Sequence, residues 1–188
     1  MKPNSIAIIH ANDIYPTNAD GSMAFKQNAD LFYLTGVDQE ETVLVLMPDA
    51  KDPKQREILF VKETSELIAI WEGDKLTKEQ ARAATGIERI EWSNSFESML
   101  HTLVPQADNI YLPTNEHLRA AVIVETRNDR FIKQCQVRYP LHRYERLAPL
   151  MHQLRMTKDP VEIDMIQKAC DITEAGFRRL LGFVKPGV

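Results

Sequence analysis

Five histidines, His10, His101, His117, His142 and His152, are the side chains of this sequence best suited to hold a metal or move a proton near neutral pH. A metal site needs imidazoles and carboxylates that converge, and in sequence this often shows as a pair on one helix face, such as H-x-x-x-H. No two of these histidines stand at that interval. His152, four residues before Met156 on an expected helix, reads as a structural or solvated histidine. The acids pair as Glu40-Glu41, in a loop-like stretch, and as Asp159 and Glu162, at the spacing of a helix cap. Nucleophilic and phosphate chemistry are equally hard to place. Only seven glycines occur, and none builds a G-x-S-x-G elbow, a P-loop or a G-x-G-x-x-G turn. Trp71, with Phe25, Phe32 and Tyr33, offers aromatic surface for a ligand, although core packing is the commoner fate of such residues.

The elements that must position these residues alternate along the chain. Ser5–His10, Thr42–Met47, Glu57–Val61, Glu88–Trp92 and Asn109–Leu112 are β-branched or apolar runs that read as strands. Between them, a helical turn is expected to end at Gly36, and helices are expected over Lys78–Ala84 and Ser95–Leu103. On the second of these, Phe96, Met99, Leu100 and Leu103 share a face. Residues 64–76 have no clear period. A helix is expected between Asn115 and Lys133, then a strand near Gln136–Tyr139. This alternation predicts an α/β layered domain whose sheet is covered by helices.

A boundary is expected near residues 140–149, where Pro140 and Pro149 bracket a change to helices. After it, Asp159 is a good N-cap, Pro160 suits the first helical position, and Glu162 can close a capping box. Ile163, Ile166, Ala169, Cys170, Thr173, Phe177, Leu180, Leu181 and Val184 then recur every three or four residues. So long an apolar stripe needs a covering surface. The helix is therefore expected to be disordered, folded back, or packed against a second copy. Cys170, on the stripe, reads as a packing residue.

At 188 residues, with 44% hydrophobic and 27% charged residues, the chain is an ordinary globular protein with room for one core and an appendage. A net charge of −4 argues against a nucleic-acid surface, and Arg178-Arg179 reads as a solvated helix face. Two cysteines make no disulfide framework and suit a reducing compartment. The apolar run Ile6–Ile9 is too short for a signal peptide or a membrane span. A cytoplasmic location and no membrane partner are expected.

Four segments, in order, carry a family likeness. Phe25-Lys26-Gln27-Asn28-Ala29-Asp30-Leu31-Phe32-Tyr33-Leu34-Thr35-Gly36, continued by the strand from Glu41 to Leu46, resembles the signature of the N-terminal domain of Xaa-Pro aminopeptidases (aminopeptidase P). Ile70-Trp71-Glu72-Gly73 is similar to that family's I-W-x-G element. Leu154-Arg155-Met156-Thr157-Lys158-Asp159-Pro160-Val161-Glu162-Ile163 resembles its L-R-x-x-K-S-P-x-E-I junction, with Asp159 for the usual Ser; both residues cap helices. Lys185-Pro186-Gly187 resembles the K/R-P-G that ends the first helix of the catalytic domain.

The resemblance implies a mixed β-sheet flanked by helices, of the creatinase/prolidase N-terminal domain type, over residues 1–145. Residues 146–188 would be a linker helix and the start of a pita-bread metallopeptidase domain. In the family that domain holds two divalent ions, usually manganese, on two Asp, one His and two Glu, none of which is expected within residues 1–188. The part present is expected to be catalytically silent alone and to bind no metal, and to act as a substrate gate and subunit contact for its own C-terminal catalytic domain. A homo-oligomer is implied, with a peptide bearing proline at its second position as the substrate. By the same resemblance Trp71 is the candidate substrate-binding residue, reaching a neighbouring subunit's site; a core or interface tryptophan is the alternative. The other readings are a non-catalytic peptide- or protein-binding member of the fold and the N-domain of a prolidase-like dipeptidase.

Overall fold

The computed structural model describes residues 1–119 and 123–187. The chain falls into two compact units, Met1–Leu150 and Met151–Val188. In the first, β1 (Ser5–His10), β2 (Val43–Leu46), β3 (Glu57–Val61), β4 (Arg89–Trp92), β5 (Asn109–Leu112) and β6 (Arg143–Arg146) form one sheet in the order β4-β3-β2-β1-β5-β6. Strand β2 is antiparallel to both neighbours, and the remaining pairs are parallel.

β1 lies inside the sheet with all six residues buried, which is why it reads as a continuous apolar run rather than an alternating one. Ile6 and Ile8 point into one face with Val43, Val45, Ile58, Phe60 and Ile110. That face is closed by Phe96, Leu100 and Leu103 of α4 (Phe96–Leu103) and by Phe131 and Cys135 of α5 (Arg127–Arg138). The alternate residues Ala7, Ile9, Leu44 and Leu59 are just as buried, so the other face is covered too. Helices α1 (Ala29–Thr35) and α3 (Lys78–Thr85) approach β1 and β4. Full burial of each such aliphatic side chain is worth about 1.5–3 kcal/mol, so the two-sided sheet carries most of the stability.

The expected strand near Gln136–Tyr139 is the end of α5 instead. Thr126 caps that helix, with Asp129 completing the capping box, and Phe131 and Cys135 are its buried pair one turn apart. Of the helix expected between Asn115 and Lys133, Arg127–Lys133 is helical, as the first part of α5; the described residues 115–119 and 123–126 are not, and residues 120–122 lie outside the described residues. The edge strand β6 leaves no strand signal in the sequence, because Arg-Tyr-Glu-Arg has no apolar run, as suits an edge with one bonded side.

In the second unit, α6 (Ala148–Met156, begun in the first) leads to α7 (Pro160–Phe183). Asp159 accepts the Glu162 amide hydrogen at 2.9 Å, and Glu162 returns the bond to the Asp159 amide at 3.0 Å, with Pro160 in the first turn. The helix is fully formed, and Ile163, Ile166, Phe177, Leu180, Leu181 and Val184 are exposed within this chain. Cys170 is exposed, not packed as its stripe position suggested.

Candidate functional site

The stretch without a clear period folds as α2 (Glu66–Glu72). Ser65 begins it by accepting the Ile68 amide hydrogen at 3.3 Å. Gly73 ends it at φ 77° and ψ 172°, a backbone region open essentially to glycine alone, and a Cβ there would meet nothing within 4 Å. The glycine of Ile70-Trp71-Glu72-Gly73 is thus required by the turn and not by crowding. None of the residues of α2 is buried. Leu67, Ile70 and Trp71, at helical spacing on one face, stand in solvent, with Trp71 88% exposed. Trp71 is not a core residue of this chain.

Polar contacts hold this short helix to the sheet. At the end of β3, Lys62 pairs with Glu72 at 2.6 Å and with Glu41 at 3.4 Å. Its ammonium is held above the usual lysine range, chiefly by the Glu72 hydrogen bond. Lys75 pairs with Glu40 at 2.6 Å. Burial pushes the Glu40 carboxyl up, but the hydrogen bond and charge of Lys75 outweigh it and hold the group below its ordinary value. The Gln39 side chain, itself buried, accepts the Leu76 amide hydrogen at 2.8 Å.

The Phe25–Gly36 motif explains itself locally. Asn28 caps α1, accepting the Asp30 and Leu31 amide hydrogens at 3.0 and 3.1 Å, and Gly36 closes it in the left-handed region at φ 69°. The Gln27 amide donates to the Val37 and Gln39 carbonyls at 3.2 and 2.8 Å, fixing the loop that follows α1. Phe32 and Tyr33 face solvent and Phe25 is half-buried, so only Leu31 and Thr35 of α1 enter the interior.

A cavity of about 360 Å³ lies beyond the C-terminal end of β1, bounded by Asn12, Asp13, Phe25 and Lys26 on one side and Thr126 and Arg127 on the other. Asp13 crosses it, accepting the Arg127 amide hydrogen at 2.8 Å and pairing with the Arg130 guanidinium. Burial pulls the Arg127 guanidinium below its ordinary value, against the opposing charges of Asp13 and Glu41.

The histidines stay apart. His10 is fully buried between Phe96 and Phe131, at ring distances of 5.3 and 4.3 Å, and its Nδ1 has no hydrogen-bond partner among the described residues. Burial, helped by the Arg127 charge, pulls it down to about 3, so it is neutral at any ordinary pH. His142 is half-buried on the Val104 carbonyl, while His101, His117 and His152 face solvent. Among the described residues no three His, Cys, Asp or Glu side chains converge on a point that could hold a metal ion. No helix among the described residues is long and apolar enough to cross a membrane.

A mixed sheet with helices on both faces, an exposed I-W-x-G helix and a capped F-K-Q-N segment define the class, and comparison with known proteins gives the family. The profile described as "Aminopeptidase P, N-terminal domain" matches residues 1–111. The Xaa-Pro aminopeptidase of Escherichia coli is 28% identical over 190 residues, covering all of this chain and 43% of its own length. Human Xaa-Pro aminopeptidase 3 is 23% identical over 176 residues, covering 90% of this chain and 33% of its own. Among solved structures, zinc-substituted E. coli aminopeptidase P in complex with product superposes with a TM-score of 0.79 at 25% identity. The E. coli enzyme with the inhibitor Pro-Leu gives 0.77 at 28%. Both comparisons cover all of this chain and 43% of the other. The chain belongs to the aminopeptidase P N-terminal domain family. It spans less than half the length of the curated relatives it matches.

Proposed function

We propose that this chain is the substrate-gating and subunit-contact domain of a metal-dependent Xaa-Pro aminopeptidase, which removes an N-terminal residue preceding proline. Residues 1–145 form the gate, and residues 146–188 are the linker helix and the beginning of the catalytic domain. The reacting groups and two divalent ions, manganese in this reading, belong to that domain and not to the residues described here. When bound in that domain, such ions would act as Lewis acids, activating water and polarising the scissile carbonyl. Within this chain, Trp71 contacts the peptide bound in a neighbouring subunit of a homo-oligomer, and the domain around it narrows the mouth of that subunit's pocket. Narrowing admits short or unstructured N-termini and excludes bulk water. The enzyme acts in the cytoplasm.

The observation that carries this reading is the exposure of Trp71. A large indole 88% in solvent, on a helix with no buried residue, contributes little to the fold of its own chain. Aromatic residues in that setting anchor ligands and interfaces. The test is Trp71→Ala in the protein extended through its catalytic domain. The kcat/KM for an Xaa-Pro-Yaa tripeptide should fall by about tenfold or more, with the thermal transition unmoved. Unchanged kinetics would refute a role for Trp71 at the substrate.

A further inference from the structure

Of three consecutive residues, Gln39 and Glu40 reach the segment that leaves helix α2, and Glu41 reaches Lys62, just after β3, which in turn holds Glu72 of the helix. Gln39 takes the Leu76 amide, Glu40 takes Lys75, and Glu41 shares Lys62 with Glu72, the neighbour of Trp71. Glu41 adopts φ 55°, a left-handed conformation that non-glycine residues rarely occupy. Two side chains of the preceding and following segments hold the run in place: the Gln27 amide and the Thr42 hydroxyl both donate to the Gln39 carbonyl, each at 2.8 Å.

Helix α2 has little else to anchor it. Seven residues are too few for an isolated helix to persist in water, and only Ile68 and Ala69 of its apolar residues are even half-covered. Elsewhere in this domain apolar burial fixes a helix, as Leu31 does for α1 and Phe96, Leu100 and Leu103 do for α4. The Lys62–Glu72 pair, with the contacts of residues 39–41 to Lys62, Lys75 and Leu76, is therefore a principal restraint on where Trp71 stands. The Lys75–Glu40 pair is the better sheltered, with both side chains 15% exposed, while Lys62 at 22% meets the more open Glu41 and Glu72 at 43% and 46%. Sheltered pairs are less screened by salt than those in open solvent.

We infer that Gln39, Glu40 and Glu41, with Lys62 and Lys75 as their counterparts, form a clasp that positions α2 and so sets the reach of Trp71. They are positioning residues and touch no substrate themselves. The inference deepens the reading of Trp71 as a substrate contact and rests on it for its functional consequence. Its structural content is independent, because the clasp either holds α2 or does not. The left-handed Glu41 is the turning point: residues 40 and 41 pair with Lys75 and Lys62 immediately before the chain enters β2 at Val43.

The test uses this chain with Trp92→Phe, which leaves Trp71 as its only tryptophan. The double substitution Glu40→Gln with Glu41→Gln keeps the size of both side chains and removes their charge. Amide exchange in Glu66–Glu72 should quicken by about three- to tenfold, and the Trp71 anisotropy should decay faster. Exchange in β1 and β2 and the thermal transition should stay where they were. Lys62→Met should act in the same direction, and Lys62→Arg should restore the parent behaviour. Raising salt to about 1 M should quicken α2 exchange in the parent chain and change the double variant less. Parent-like exchange and anisotropy in the double variant would overturn the clasp, as would a global loss of protection that left α2 no more affected than the sheet.

In the extended enzyme the double variant should raise KM while kcat stays within about twofold. Trp71→Ala separates the two ideas. If it leaves kinetics unchanged while the double variant loosens α2, the substrate reading fails and the clasp stands. If Trp71→Ala impairs cleavage while the double variant leaves α2 tight, the clasp fails and the substrate reading stands.

Discussion

Asp13 and Arg127 lie 114 positions apart, yet the Asp13 carboxylate accepts the Arg127 amide hydrogen at 2.8 Å at the first turn of α5. The same carboxylate pairs with Arg130 one turn on. An anion is favoured at a helix N-terminus, where amide hydrogens lack partners and the helix dipole is positive. Here the chain supplies the anion itself and ties the segment that leads into Phe25-Lys26-Gln27-Asn28 to the helix after β5. Replacing it with Asp13→Ala should cost about 1 kcal/mol, read as a lower urea midpoint with an unchanged slope. Exchange at the Arg127 amide should rise more than at residues of β1. Equal rises at both would mean that Asp13 stabilises the domain without holding this junction.

His10 should make the domain acid-sensitive. Its folded-state value is pulled down to about 3, against 6.5 for a free histidine, so between these limits the unfolded chain binds the extra proton. The stability tied to a neutral His10 is complete above about pH 6.5 and is lost as pH falls toward about 3. His10→Leu removes the titration and keeps an apolar group between Phe96 and Phe131. The urea midpoint of the parent should drop more steeply from pH 7 to pH 5 than that of the variant. Parallel slopes would show that His10 is not the group responsible.

The two thiols should separate cleanly. Cys135 is buried under α5 and its thiol is pushed up to about 12, first by burial, whereas Cys170 is exposed. A thiol reagent at pH 8 should label one cysteine quickly, identified as Cys170 by peptide mapping, and reach Cys135 only on unfolding. Rapid labelling of Cys135 in the folded chain would contradict the packing of α5 on the sheet.

The residues described here offer no convergent metal ligands. The purified 188-residue chain, given manganese, should therefore release no amino acid from Xaa-Pro dipeptides or Xaa-Pro-Yaa tripeptides. Turnover proportional to chain concentration would place the chemistry within this chain and refute the division of labour proposed above.

The buried strands were legible because their burial leaves a sequence trace. Ile6-Ala7-Ile8-Ile9 and Val43-Leu44-Val45-Leu46 are apolar on both sides because the sheet is covered on both sides. Caps were equally legible: Asp159 with Glu162, and Gly36 after α1, do what their residue types suggest. The segment Gln136–Tyr139 misled because Val137 and Tyr139 suit a strand, while the deciding signal, Thr126 with Asp129, lies ten residues earlier. Helix α2 had no readable period because Leu67-Ile68-Ala69-Ile70-Trp71 is one unbroken apolar run, with no polar face to mark a helix against a buried strand. Glu40 and Glu41 read only as a loop feature, since ion pairs between distant loops obey no periodicity and become visible only when Lys62 and Lys75 are seen beside them.

The most direct measurement is subunit complementation in the enzyme extended through its catalytic domain. One version would carry Trp71→Ala, and the other an intact Trp71 with an inactivated metal site. Each alone should cleave an Xaa-Pro-Yaa tripeptide poorly. If Trp71 serves the site of a neighbouring subunit, co-assembled mixtures should recover activity, with a maximum near equal proportions and none when the oligomers are mixed without subunit exchange. Activity in the mixture that never exceeds the sum of the separate versions would contradict a role for Trp71 across the subunit boundary.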